Sequence, residues 1–226
     1  MGRNIEVLGI GLDDCTAKDA MKAITEFIKE ETANLVEVVT VESVVRMTQN
    51  EAQERENGTI DLMVPGDRAI LEAAEVKDEK MLREAKNDDF LKLLFQYLHK
   101  NAASIFLLAD TMDEAETLKK NIQKKYKHIE IAGVMEVPEG TTADDMIINT
   151  INGSEAACLI ASVTSDRQEA FILRCRNILN VKLWVGISQA ERFFEKRDTL
   201  AQRIAVFHKQ NSLKRRALKE KKRRNA

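Results

Sequence analysis

Cysteine is scarce here. Cys15, Cys158 and Cys175 are odd in number, widely spaced and never paired as C-x-x-C, which excludes a disulfide framework and offers no thiolate metal site. Cys158 lies in the apolar run 156–161 and reads as a small core residue. His99, His128 and His208 are too far apart for metal-ligand spacing. Gly9-Ile10-Gly11 lacks the third glycine and the strand–turn–helix setting of a dinucleotide loop. No P-loop, G-x-S-x-G or H-E-x-x-H pattern occurs either. Aromatics make up only 5% of the chain. No apolar run approaches the roughly 18 residues of a membrane span, and no charged-then-apolar leader opens the sequence. A reducing cytoplasm is therefore the expected setting. The triplets Asn57-Gly58-Thr59 and Asn152-Gly153-Ser154 are then read as turns, not glycosylation sites.

What remains is an ordinary aliphatic content distributed over 226 residues, enough for one large domain. The formal charge is −2, but residues 211–226 hold eight Lys/Arg and one Glu, or +7, which leaves about −9 on the first 210. The expected organisation is one α/β domain over 1–210 and a basic, helical C-terminal tail over 211–226. The tail carries Lys214, Arg215, Arg216, Lys219, Lys221, Lys222, Arg223 and Arg224. Such a run suits an anionic membrane surface, at roughly 1 kcal/mol per basic residue near the bilayer. Nucleic acid uses the same Coulomb attraction, but no aromatics interleave the charges for base stacking, so it is the disfavoured partner.

Short β-type apolar runs alternate with helical stretches. Residues 5–12 read as a strand or small hairpin. Strands are expected at 36–40, 60–64, 104–108, 129–134, 156–163 and 181–186. Thr16 is placed to N-cap a helix with Ala20, Ala23, Ile24, Phe27 and Ile28 inward, and Thr142 with Asp145 resembles a capping box. Further helices are expected at 68–85, 88–100 and 166–178, with a long helical finish from 189. Strands joined through single helices pair in parallel and are covered on both faces, which predicts a Rossmann-like, mostly parallel sheet flanked by helices.

Ligands of such sheets bind past the carboxyl ends of the strands. That directs attention to Thr40, to Pro65-Gly66-Asp67, to Ala109-Asp110 and to the segment 164–169. Asp67 is either a general base or ligand contact, or a helix cap. Asp88 and Asp89 diverge by about 100° on a helix and read as N-terminal caps instead of a metal pair. The segment 164–169 offers hydroxyls, helix-start N–H groups and Arg167 to a phosphate or sugar. A well-capped helix start is the plainer alternative.

The order of elements and several motifs resemble the WecG/TagA/CpsF glycosyltransferases over roughly residues 5–208. Residues 5–13, with Thr16 and Asp19-Ala20, are similar to that family's opening. Val39-Thr40-Val41-Glu42 resembles its Thr-x-Asn motif, with Glu42 in place of the asparagine. Val64-Pro65-Gly66-Asp67 resembles Pro-Asp-Gly with the last two residues exchanged. Arg83, with Asp88 five residues on, matches the Arg…Gly-x-Asp-Leu spacing, with Lys86 for the glycine. Leu107-Leu108-Ala109-Asp110 resembles a strand that ends in Gly-Gly in the family, and Gln168-Glu169 matches the end of Pro-Lys-Gln-Glu. After Val185-Gly186 the second glycine, the Phe-Asp and the later Arg-Ala-Pro are missing.

The resemblance implies transfer of an N-acetylhexosamine, N-acetylmannosamine in type, from a UDP-sugar to an undecaprenyl-diphosphate-linked acceptor. Such transfer serves bacterial cell-surface polysaccharide or teichoic acid synthesis, without an essential metal or other cofactor. It implies Asp67 as catalytic base and Thr40, Arg83, Gln168 and Glu169 as substrate-binding residues. It also implies contact of the tail with the inner face of the plasma membrane. The alternative is a non-catalytic homologue that binds a sugar nucleotide or a partner transferase.

Overall fold

The computed structural model describes residues 5–49, 60–137, 144–188 and 190–194. It opens with a hairpin, β1 (Ile5–Val7) paired antiparallel to β2 (Ile10–Leu12), which forms a sheet of its own. Leu8 and Gly9 turn it with φ of 52° and 81°, and two successive positive φ values define the type I′ turn that matches strand twist. Asp13 then ties the hairpin to the main sheet by exchanging two bonds with the Met63 main chain, at 2.8 and 3.0 Å.

Six strands form the main sheet: β3 (Asn34–Val39), β4 (Leu62–Pro65), β5 (Ser104–Ala109), β6 (Glu130–Glu136), β7 (Cys158–Ser162) and β8 (Leu183–Ile187). Their order is β4-β3-β8-β7-β5-β6, and every pairing is parallel. All six expected strands are present, with no end displaced by more than two residues. β3, β7 and β8 are buried throughout, as sheets covered on both faces demand.

One face carries α1 (Ala17–Phe27), α5 (Asp89–Lys100) and α6 (Met112–Lys125), whose Ile24, Leu94, Phe95 and Leu118 pack on Val36, Leu107, Ile160 and Val185. The other carries α7 (Asp144–Gly153) and α8 (Ser165–Cys175), with Ile147, Ile151, Phe171 and Ile172 against Leu35, Leu108 and Trp184. A third cluster joins the hairpin to α2 (Val41–Gln49), α3 (Arg68–Ala73) and α4 (Glu79–Asn87) beside β4. Each fully buried Leu, Ile or Phe contributes about 1.5–3 kcal/mol relative to exposure.

Thr16 caps α1 in a reciprocal box with Asp19, as expected, and Thr111 does the same for α6 with Glu114. The expected helix at 68–85 is instead two. Glu75 takes a left-handed φ of 61°, and Asp78 restarts the chain as the N-cap of α4, accepting from Lys80 N and Met81 N. Asp88 takes the expected N-cap position of α5, though without the side-chain bond of a cap. It adopts a left-handed φ of 54° between α4 and α5. Asn152 is no plain turn residue, because its amide clasps Ile178 O and Asn180 N, both at 2.8 Å. The short α9 (Glu191–Phe194) docks beside α6 through Phe193 and Phe194, which pack on Phe95 while Lys125 Nζ lies 4.7 Å from the Phe193 ring. Thr142, Asn57 and the whole tail, with Lys214, Arg215, Arg216, Lys219, Lys221, Lys222, Arg223 and Arg224, lie outside the described residues.

Candidate functional site at the carboxyl edge of the sheet

β3 and β4 are parallel neighbours, so the residues that follow them emerge side by side. Thr40 and Asp67 meet there. Asp67 Oδ2 accepts from Val41 N at 2.8 Å, at the first residue of α2. It occupies the N-cap position of α3, but its side chain makes no capping hydrogen bond there. Thr40 exchanges bonds with Ser43 through both main chain and hydroxyl, in the manner of an N-cap for α2. Both residues keep part of their surface in solvent. Glu42, where the family motif has asparagine, pairs with Arg46 at 3.3 Å.

Beside this junction runs an open cleft lined by Cys15, Val38, Pro65, Gly66, Glu84 and Asp88. The Cys15 thiol is pushed up to about 12, first by burial and then by Asp13, Asp19, Asp14 and Glu84. It stays protonated near neutrality and supplies neither nucleophile nor ligand. Arg83 sits on the exposed face of α4, the helix that contributes Glu84 to the cleft wall.

Gln168 lies in the core, 3% exposed, and its Nε2 donates to Oε2 of Glu37, which is 1% exposed in the middle of β3. Gly186 pairs with Glu37 in register across β3 and β8, and its lack of a side chain makes room for the two polar groups. Gln168 Oε1 and Trp184 Nε1 have no hydrogen-bond partner among the described residues. The side chain of Glu169 lies outside the described residues. The site residues named from sequence thus fall in three places. Thr40 and Asp67 are together, Gln168 is buried beneath the same strand, and Arg83 stands on a neighbouring helix.

The residue that sequence reasoning left without a role is Asp110, immediately after β5. Its Oδ2 accepts from Thr164 N at 2.9 Å and its Oδ1 from Arg167 Nη1 at 2.7 Å. Thr164 is therefore not the conventional cap of α8, because its hydroxyl faces Asp110 Oδ1 at 3.4 Å. The signal for this was present, an acid directly following a strand, but its partner is fixed by strand order. Among the described residues, no three His, Cys, Asp or Glu side chains gather as a metal site, and no helix is long and apolar enough to cross a membrane.

No individually curated protein matches this sequence significantly. The profile of the WecG/TagA/CpsF glycosyl transferase family, whose members build cell-surface polysaccharides, matches residues 5–204. That span takes in the hairpin and all six strands of the parallel sheet, and it runs through Thr40, Asp67, Arg83 and Gln168 in order. The chain belongs to the WecG/TagA/CpsF family of glycosyltransferases.

Proposed function

We propose that this protein transfers an N-acetylhexosamine, of the N-acetylmannosamine type, from a UDP-sugar to an undecaprenyl-diphosphate-linked acceptor. Family membership supports a sugar-nucleotide donor and a lipid-linked acceptor in general. The observation that carries the local assignment is the meeting of Asp67 and Thr40 at the ends of adjacent parallel strands, with Asp67 Oδ2 2.8 Å from Val41 N. That bond fixes the carboxylate at the mouth of the sheet, where a substrate hydroxyl arrives.

In the reaction the acceptor oxygen bonds to the anomeric carbon as the bond from that carbon to UDP breaks. Asp67 takes the hydroxyl proton, and the electron pair leaves with the diphosphate. Thr40 orients the donor, and Arg83, on the exposed face of α4 beside β4, offsets charge on the diphosphate of the lipid-linked acceptor. Gln168 acts from below, holding α8 to β3 through Glu37. Glu169 completes the donor-binding set taken from the family motif. The reading needs no metal. The basic tail holds the protein at the inner face of the membrane, near its lipid-linked acceptor.

A UDP-sugar at 100 times its Kd stabilises a single-site protein by about 2.7 kcal/mol, which raises Tm by roughly 5–10 °C at this size. Asp67→Asn should retain that shift and lose about 10²–10⁴ in turnover, measured as UDP release in the presence of polyprenyl-diphosphate acceptor. Unchanged turnover would remove Asp67 as the base. A second reading, a non-catalytic sugar-nucleotide binder, is favoured by the engagement of Glu42 with Arg46 and of Arg167 with Asp110. A Tm shift with UDP-sugars but no UDP release from the wild-type protein would select it.

A further inference from the structure

β5 and β7 are neighbours in the sheet, but the chain leaves them in opposite directions. α6 follows β5 onto the face that holds Leu118 and Ile122, and leads outward to β6. α8 follows β7 onto the face that holds Phe171 and Ile172, and leads inward to β8. A crevice opens at the carboxyl edge wherever adjacent connections diverge this way, and such switch points are where parallel α/β sheets take ligands.

Here the protein bridges its own crevice. Asp110 on the β5 side reaches Thr164 N at 2.9 Å, Thr164 Oγ1 at 3.4 Å and Arg167 Nη1 at 2.7 Å on the β7 side. Arg167 Nη2 also donates to Val137 O, just past β6, so the guanidinium spans three strand ends. The Arg167 and Asp110 side chains keep 30% and 20% of their surface, so solvent and solutes reach the pair. A main-chain N–H, a hydroxyl and a forked guanidinium converging on one anion form the donor set that also suits phosphoryl oxygens. An ion pair left partly in water contributes little to stability and yields to a competing anion.

We infer that Asp110 is a tethered anion that fills this switch-point crevice and must be displaced before a diphosphate can engage Thr164 and Arg167. The chemical class of the ligand follows from the donors alone. Only its identity as the diphosphate of a UDP-sugar rests on the glycosyltransferase reading.

The experiment is calorimetric titration of inorganic pyrophosphate, and separately of UDP, into the full chain at fixed salt. The proteins are the wild type, Asp110→Asn, Asp110→Ser and Asp110→Asn/Arg167→Gln. Either single variant removes the carboxylate charge while keeping an acceptor for Thr164 N, so one serves if the other fails to fold. Each should bind pyrophosphate roughly tenfold tighter than the wild type, since a like charge and an internal competitor are both gone. The double variant should lose that gain. A folded single variant that binds pyrophosphate no better than the wild type overturns the inference, as does a double variant that keeps the gain. A gain for pyrophosphate without UDP binding by any protein upholds the inference and sinks the nucleotide-sugar reading. Equal UDP binding by wild type and single variants, with no pyrophosphate gain, does the reverse.

Discussion

Gly186→Ala tests the buried strut beneath the site. A methyl group at Gly186 overlaps Glu37 Oε2 and Gln168 Nε2 and stands 2.7 Å from Gln168 Oε1, so both side chains must move. On a surface such flexible ends would swing aside at little cost. Here they are 1% and 3% exposed, in a core whose buried residues include Trp184 and Phe171, each 1% exposed. Overpacking a filled core costs about 1–3 kcal/mol, and breaking the Glu37–Gln168 bond leaves buried polar groups unsatisfied at about 1–3 kcal/mol each. The expected loss is about 3 kcal/mol, which moves a urea midpoint down by roughly 1 M. Gln168→Ala alone should also destabilise, by about 2 kcal/mol, because it leaves Glu37 buried without its amide. In the double variant Glu37 moves into the space left by the amide, so the combined loss should fall short of the sum by about 1–2 kcal/mol. Equilibrium urea unfolding of all four proteins measures the cycle. A Gly186→Ala protein within 0.5 kcal/mol of wild type would refute the packing argument, and strict additivity would refute the shared-space argument.

Two further outcomes are expected. Burial lifts the Cys158 thiol from its ordinary value of 9.0 to about 12, so the unfolded chain ionises first and stability falls as pH rises from about 9 towards 12. At pH 10 the loss is on the order of 1 kcal/mol, and urea midpoints at pH 8 and pH 10 should show a smaller drop for Cys158→Ala than for wild type. Removing residues 211–226 deletes +7 of charge and few apolar side chains. Tm should hardly change while co-sedimentation with anionic vesicles falls steeply, and the binding of the intact protein should weaken with salt. Equal binding by both chains would leave the tail no membrane role.

The sheet was legible because its signals are local. Short β-branched runs such as Leu35 to Val39 cannot be amphipathic helices, and each is followed by an apolar stripe at helical spacing. Parallel pairing then follows from the crossovers alone. The break between α3 and α4 was illegible, since the pattern over 68–85 stays helical and nothing in the sequence announces a left-handed Glu75. Gln168 is a harder case. A glutamine in the first turn of a helix reads as solvent-facing unless Glu37, 131 positions earlier, is known to lie beneath it. A buried acid within a β-type run was the available warning, because charged side chains are rarely fully buried unless paired.

Asp67 and Asp110 share a further reason for having been ambiguous. The carboxylate of Asp67, past β4, accepts from Val41 N at the start of α2, which belongs to β3. Asp110, past β5, accepts from Thr164 N before α8, which belongs to β7. Glu136, at the end of β6, accepts from Met112 N at the start of α6, which belongs to β5. In each case an acid at one strand end satisfies an N–H at the helix start of the adjacent strand, where the helix dipole favours negative charge. Sequence places each acid beside the wrong helix, because adjacency in a parallel sheet is not adjacency in the chain. The carboxyl edge is thus built to hold anions and already holds three of its own. The three differ in their company. Asp67 stands next to Thr40 beside the open cleft and holds Val41 N, which suits a base that keeps its place, while Asp110 also takes an arginine, which suits a carboxylate that a diphosphate can replace.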